Sequence, residues 1–207
     1  VAGTHALFSD DVVFKDLGVI VTDEQHRFGV EQRARMMDKG FHPHVLVMSA
    51  TPIPRTLALM LYGDLELSAV DEMPPGRLTV KTHLVSQNKR TELIRYLGNE
   101  AAMDHRSYVV CPLIEKTEGY EGLSVEEVAE EFANALPGVS IGCLHGRMEE
   151  QEKQCVMEAF RKGEISILIA TTVIEVGIHV PEALHMTIIG AERFGLSSLH
   201  QLRGRVG

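Results

Sequence analysis

The stretch Val21-Thr22-Asp23-Glu24-Gln25-His26-Arg27-Phe28-Gly29-Val30 sets two carboxylates, an amide, an imidazole and a guanidinium in a row. It follows the apolar run of residues 17–21 directly. In open α/β sheets, ligands sit at the carboxyl ends of strands. A carboxylate there, Asp23, offers the oxygen ligand that Mg²⁺ takes. Mg²⁺ needs few protein carboxylates when phosphates fill its other positions. A second carboxylate beside it, Glu24, can orient or deprotonate an attacking water. A bare Asp-Glu at a strand end more often caps the next helix. An exposed cap, however, has no need of Gln25-His26-Arg27 in succession.

Further polar stretches also stand behind apolar runs. In Met48-Ser49-Ala50-Thr51-Pro52-Ile53-Pro54-Arg55, the hydroxyls of Ser49 and Thr51 can bridge a carboxylate site to a neighbouring domain. Thr51 or Pro52 before a helix is also ordinary capping chemistry. Leu144-His145-Gly146-Arg147-Met148 follows a strand and opens a helix, where backbone N–H groups and an arginine suit a phosphate. Ala170-Thr171-Thr172-Val173-Ile174-Glu175-Val176-Gly177 offers threonine hydroxyls and a glycine turn to a nucleic-acid backbone or a nucleotide edge. Gln201-Leu202-Arg203-Gly204-Arg205-Val206-Gly207 puts two arginines around a glycine, on or near a helix. Arginines so placed stabilise charge on a γ-phosphate, an effect of about 10³–10⁵ in rate where it operates. Taken alone, each stretch also reads as a turn, a cap or a solvated face.

Such groups need a frame that ends many strands at one edge. Short β-rich apolar runs recur at 17–21, 45–48, 108–110, 139–143, 165–170 and 186–189. They are continuous rather than alternating, which predicts strands covered on both faces. Helices are predicted between them. Residues 30–37 carry a Glu31/Arg35 pair four apart. Residues 54–62 open on a proline. Residues 88–103 place Leu93, Ile94 and Leu97 on one side. Residues 124–136 open with Ser124 and Glu127 at capping-box spacing. Residues 149–161 set Val156, Met157 and Phe160 at core spacing. This alternation means an α/β protein with parallel sheets. Asp71-Glu72-Met73-Pro74-Pro75-Gly76-Arg77 has two prolines, a glycine and no periodicity, and reads as a linker.

Bulk composition bounds the rest. The 207 residues are 44% hydrophobic and 24% charged, an ordinary globular balance. A net charge of −9 argues against a generic basic DNA-coating protein. It is compatible with a protein that grips phosphates through a few local loops. The three cysteines (Cys111, Cys143, Cys155) suggest no disulfide framework and fit a reducing, cytosolic setting. The ten histidines and three cysteines fit no HExxH or CxxC spacing, so a metal-binding module is disfavoured. No apolar run approaches the roughly 18 residues of a membrane span, and no signal-peptide pattern opens the chain.

In this order the set resembles the superfamily 2 nucleic-acid motors, and among them the RecG helicase family. Gly3-Thr4-His5-Ala6-Leu7 is similar to the family's segment near DNA in the first RecA-like domain. Asp23-Glu24-Gln25-His26 is similar to its Walker B box, and Arg27-Phe28-Gly29-Val30-Glu31-Gln32-Arg33 continues the match. Ser49-Ala50-Thr51 resembles its coupling motif, and Pro74-Pro75-Gly76-Arg77 the segment joining its two RecA-like domains. The three polar stretches after residue 143 resemble the second domain's nucleic-acid and arginine-finger motifs. The likeness covers nearly the whole chain.

The resemblance implies two RecA-like parallel-sheet lobes, the first truncated at its N-terminal side. Residues 1–72 would be the C-terminal part of the first, ATP-binding domain. Residues 73–80 would be the interdomain linker and 81–207 the second domain, truncated at its end. ATP and Mg²⁺ are the implied cofactors. Branched double-stranded DNA is the implied partner, in recombination and repair, for a monomeric protein of the bacterial cytoplasm. Asp23 would hold Mg²⁺ and Glu24 would activate water. Gln25 and His26 would sense the γ-phosphate, with Ser49 and Thr51 on the same coupling path and Gly177 and His179 also on the nucleotide side. Gln201, Arg203 and Arg205 would line the ATP cleft, with Arg205 the better finger. Gly3, Thr4, His5, Arg147, Thr171 and Thr172 would face DNA.

The sequence departs from the family at three places. It contains no GxxxxGK[ST] phosphate loop. It stops at Gly207, one residue before the family's next arginine. It has His179 where the family has Asp; a neutral histidine can substitute as an acceptor. Val1 is not a start methionine, and the chain reads as an excerpt of a longer protein. The 207 residues alone are expected neither to hydrolyse ATP at a useful rate nor to unwind DNA. Two alternatives stay open. The translocase module of a transcription-repair coupling factor shares most motifs, although it usually has Glu at the position of Gln25. A non-catalytic DNA-binding remnant would account for His179 and the missing loop together.

Overall fold

In the computed structural model the chain divides into two compact units, Val1–Leu67 and Ser68–Gly207. The structure describes residues 1–23, 35–49, 66, 68–72, 79–112, 123–172 and 180–207, with the side chain of His5 set aside. The helix expected at 54–62, most of that at 30–37 and most of the linker lie outside the described residues; 35–37 are helical.

In the first unit, β1 (Val19–Thr22) and β2 (His44–Val47) pair in parallel, with Thr22 opposite Val47. A 3₁₀ turn, His5–Phe8, precedes them. Lys39 Nζ donates to the carbonyls of Ser9 at 2.5 Å and Val12 at 2.7 Å, tying that segment down. Gly40 passes so close to Leu17 that a Cβ would sit 2.7 Å from its carbonyl oxygen. Coverage of both strand faces, expected from the apolar runs, is not met here. Ile20 is 6% exposed, but Val19, Val21 and Leu46 on the opposite face are 60%, 57% and 53% exposed. Among the described residues the two strands therefore alternate, with Ile20 on the covered side and Val19, Val21 and Leu46 on the exposed one.

The second unit holds a four-stranded, wholly parallel sheet in the order β4-β5-β3-β6. The strands are β3 (Arg106–Val110), β4 (Ile141–Leu144), β5 (Ile167–Ala170) and β6 (Ala183–Ile188). The helices are α1 (Arg90–Ala102), α2 (Val125–Ala135), α3 (Glu150–Lys162) and α4 (Leu196–Arg203). Tyr108, Val110, Leu168 and Ala170 share one core cluster with Phe160 of α3 and Leu202 of α4. Val109, Cys111, Ile167 and Ile169 share another with Ile94 and Leu97 of α1 and Val128 and Phe132 of α2. Alternate residues of the central strands thus enter two separate cores, so β3 and β5 are buried along their whole length. The three helices expected after residue 87 form within a residue or two of the expected ends.

Local chemistry sets the helix ends. Ser124 Oγ accepts from the Glu127 N–H at 3.2 Å, and Glu127 Oε2 accepts from the Ser124 N–H at 3.1 Å, a complete capping box on α2. α3 stops at Gly163, whose φ of 82° is left-handed. Arg106 runs beneath that end. Its Nη1 donates to the Arg161 carbonyl at 2.9 Å and to Glu182 at 3.0 Å, joining β3, α3 and the entry to β6. A cation at a helix C-terminus complements the backbone dipole.

Candidate functional site

Because all four described strands of the second unit are parallel, their carboxyl ends open on one edge. The turn His145-Gly146-Arg147 leaves β4 there, and Thr171-Thr172 leaves β5. β4 and β5 are neighbours, with Leu144 opposite Ala170. The Thr171 N–H donates to the Leu144 carbonyl at 3.2 Å, so the two motif stretches meet at their first residues. Arg147 and Thr172 are exposed and Thr171 is partly covered. Separated by more than twenty positions in the sequence, these residues stand on turns that leave adjacent strand ends, which brings a cation and two hydroxyls to one edge of the sheet. That composition suits anionic phosphodiester oxygens.

One expectation needs correction. The turn at 145–148 does not run straight into a helix: α3 begins at Glu150. Its start is acidic, with Glu149 before it and Glu150 and Glu152 in the first turn. Glu152 Oε2 already accepts from the Glu149 N–H at 3.2 Å. Carboxylates satisfy and neutralise the positive end of this helix, which removes it as an anion site. Any phosphate contact here belongs to the turn itself.

α4 carries Gln201 and Arg203, and Arg205 follows it. Leu202 and Val206 are fully buried in the core, which fixes the facing of this segment. Gln201 is buried, Arg203 is exposed and bonded to His200 Nδ1 at 3.1 Å, and Arg205 is partly covered. Burial pushes the Tyr108 phenol up to about 12, and the nearby Arg205 guanidinium works against that shift. Arg205 therefore lies within electrostatic reach of the middle of β3.

In the first unit, Asp23 is the first residue past β1, and Ser49 lies just past β2. The Met48 N–H donates to the Thr22 carbonyl at 2.8 Å, which aligns these two ends. Both side chains are exposed, so a carboxylate and a hydroxyl stand at adjacent strand ends. Gly3 and Thr4 are exposed, and the Thr4 carbonyl accepts the first bond of the 3₁₀ turn from Leu7 at 3.0 Å. Glu24, Gln25, His26, Thr51, Gly177 and His179 lie outside the described residues.

Two features escaped the sequence reading. One is His145, whose Nδ1 is buried without a hydrogen-bond partner among the described residues. The other is a polar network near the amino ends of β3 and β6. His185 Nε2 and Tyr96 Oη are 2.8 Å apart, and His105 Nδ1 and Glu100 Oε2 are 2.8 Å apart. Glu100 Oε2 also lies 3.7 Å from His185 Nε2. Only the i,i+4 spacing of Tyr96 and Glu100 on α1 was legible beforehand. Among the described residues, no group of three or more His, Cys, Asp or Glu side chains is placed to hold a metal. No helix there is long and apolar enough to cross a membrane.

Residues 88–207 match the family model described as the helicase conserved C-terminal domain. The chain belongs to that family. Helicase relatives extend the likeness to the first unit. The chain is 51% identical to the ATP-dependent DNA helicase RecG of Haemophilus influenzae, over 100% of its own length and 31% of that protein. It is 52% identical to the RecG of Aquifex aeolicus, over 99% of its own length and 26% of that protein. It thus spans about a third or less of these helicases. Among solved structures, RecG bound to a three-way DNA junction superposes with a TM-score of 0.72 at 46% identity, covering 99% of this chain and 26% of that one. The Mycobacterium smegmatis helicase Lhr bound to ssDNA and AMP-PNP matches with a TM-score of 0.59 at 16% identity, covering 91% of this chain and 27% of that one. At that identity the likeness concerns the fold, which is RecA-like: a parallel-sheet α/β architecture.

Proposed function

We propose that this chain is part of a RecG-type, ATP-dependent DNA helicase that remodels branched double-stranded DNA, such as stalled forks and Holliday junctions, in recombination and repair. The observation that supports it most is the shared ledge of Arg147, Thr171 and Thr172 in a chain about half identical to RecG from end to end. A ledge of that kind grips backbone phosphates without reading sequence, as a motor moving along DNA requires.

ATP is the fuel in this reading. Asp23 fits Mg²⁺ by its chemistry: an exposed carboxylate at a strand's carboxyl end, beside a hydroxyl, offers the hard oxygen donors that the ion takes. When bound, the ion neutralises charge on the phosphates. Glu24 orients and deprotonates the attacking water. Arg205, with Arg203 and Gln201, meets the charge that develops on the γ-phosphate. Gln25, His26, Ser49, Thr51, Gly177 and His179 carry the nucleotide state to the DNA contacts. The enzyme works as a cytoplasmic monomer.

The test uses the intact product of the gene. Glu24→Gln lowers DNA-stimulated ATP hydrolysis by about 10²–10⁴-fold while leaving junction affinity unchanged. Arg205→Ala lowers it by about 10³-fold or more. A Glu24→Gln protein hydrolysing ATP at the parental rate removes the motor reading. Equal affinity for a three-way junction and a linear duplex removes the branched-DNA part of it.

A further inference from the structure

We propose that one buried water bridges Ser107 Oγ and His185 Nδ1, forming an internal hydration site where β3, β6 and α1 meet. The two residues stand opposite each other on neighbouring parallel strands. The register shifts just before them: Arg106 is opposite Ala183 and Ser107 opposite His185, so Leu184 is passed over. Such a bulge is rare between parallel strands and re-aims the side chains beside it. Here Leu184 is exposed, while His185 packs against α1. The His185 and Tyr96 rings meet edge to face, with centroids 5.3 Å apart. Ser107 faces the same helix, because Val109 and Cys111, next on that side of β3, pack with Ile94 and Leu97 of α1.

Ser107 is wholly buried, and its hydroxyl has no hydrogen-bond partner among the described residues. His185 Nδ1 has none there either and is sealed from solvent. Buried polar groups in native proteins are paired, with protein or with ordered water. The direction of donation follows from the other ring nitrogen. The Tyr96 hydroxyl donates to the Glu100 carboxylate, so its oxygen is left to accept from His185 Nε2–H at 2.8 Å. Burial holds His185 below its ordinary 6.5, so at neutral pH the ring carries one proton, on Nε2. Nδ1 is then a bare acceptor, at the strand position beside a buried hydroxyl. Neighbouring strands lie about 4.8 Å apart, and two hydrogen bonds of about 2.8 Å through one water span that gap. The water donates to His185 Nδ1 and accepts from Ser107 O–H, which satisfies both atoms at once. One directed chain results, from Ser107 through the water, His185 and Tyr96 to Glu100. It seats α1 on the amino ends of β3 and β6.

A crystal structure of the intact gene product, at a resolution that shows ordered water, is the direct test. Expected is one density peak within hydrogen-bond distance of both Ser107 Oγ and His185 Nδ1, and its disappearance in Ser107→Val, whose methyl groups fill the water's place. A direct Ser107–His185 bond, a dry site, or a ring turned so that Nδ1 meets Tyr96 overturns the proposal. Thermal melting reads the same site without crystals. Ser107→Ala lowers the melting midpoint by about 2–4 °C. In a His185→Phe background the same change lowers it by less than half as much, because the water has already lost one of its two partners. Equal losses in the two backgrounds would make these two unconnected groups and overturn the proposal. Where a variant fails to fold, the density in the parent protein still decides.

Discussion

The two sheets of this chain start from the same local pattern and end differently. In each sheet, chemistry-bearing residues follow the carboxyl ends of two short apolar strands: Asp23 and Ser49 after β1 and β2, Arg147 and Thr171 after β4 and β5. In the second unit, helices cover the sheet on both faces, and β3 and β5 are buried throughout. In the first, Val19, Val21 and Leu46 face outward. An apolar run therefore specifies a strand, but not how many of its faces are covered; that depends on which amphipathic helices pack against it. The turns carrying Arg147 and Thr171 stand on a core filled from both sides, whereas Asp23 and Ser49 follow strands whose Val19, Val21 and Leu46 are exposed among the described residues.

The sharpest way to break this contrast is to remove a large apolar side chain from each unit. Phe160→Ala empties a fully buried site against Tyr108 and costs about 3–5 kcal/mol in urea denaturation. Leu46→Ala, on the open face, stays within about 0.5 kcal/mol. Equal losses would mean that the first sheet is as well covered as the second.

A smaller effect tests the helix ends that frame the second sheet. Gly163→Ala forces a left-handed φ on a residue with a Cβ, placed 3.0 Å from Arg106 Nη2, and costs about 1–2 kcal/mol. A neutral outcome in thermal melting would show that α3 can end another way. Ser124→Ala removes half of the α2 capping box and costs about 1 kcal/mol, while Ser124→Asp retains most of it. If aspartate melts like alanine, the hydroxyl is not acting as the cap acceptor.

The smallest expected effect is pH dependence from the Tyr96–Glu100–His105–His185 network. Burial holds the His185 pKa below its ordinary 6.5. The His105 hydrogen bond, chiefly, holds Glu100 below its ordinary 4.5. Both depressions act in one direction. As pH falls below about 6.5, the unfolded chain binds a proton that folded His185 resists, so stability drops. The contribution of Glu100 is complete above its unfolded value and is lost as pH falls through its folded one. The melting midpoint of the parent should therefore decline on acidification from neutrality, and His185→Gln should flatten the first part of that decline. An unchanged slope in the variant would remove His185 from the account.

Much of this was legible in residue types alone. The capping box at Ser124 and Glu127, the helix face of Ile94 and Leu97, and the polar stretches directly after β1, β4 and β5 are matters of near-neighbour chemistry. A backbone needs caps within four residues and a strand needs apolar runs, so short windows carry the signal. The order of the motifs along the chain likewise carried the family likeness. The acidic first turn of α3 was readable too, but its consequence waited on knowing where the helix begins.

What only the tertiary structure decided is adjacency. The order β4-β5-β3-β6 sets the turn after β4 beside the threonines after β5, a pairing that no local window contains. It also decided that one nitrogen of His145 is sealed from water, and that a tyrosine and a glutamate of α1 meet His105, just before β3, and His185 of β6. The physical reason is common to all of these. Sequence determines the forces each short segment exerts by itself, whereas burial and hydrogen-bond partners come from segments distant in the chain, and they exist only once the sheet has closed its order.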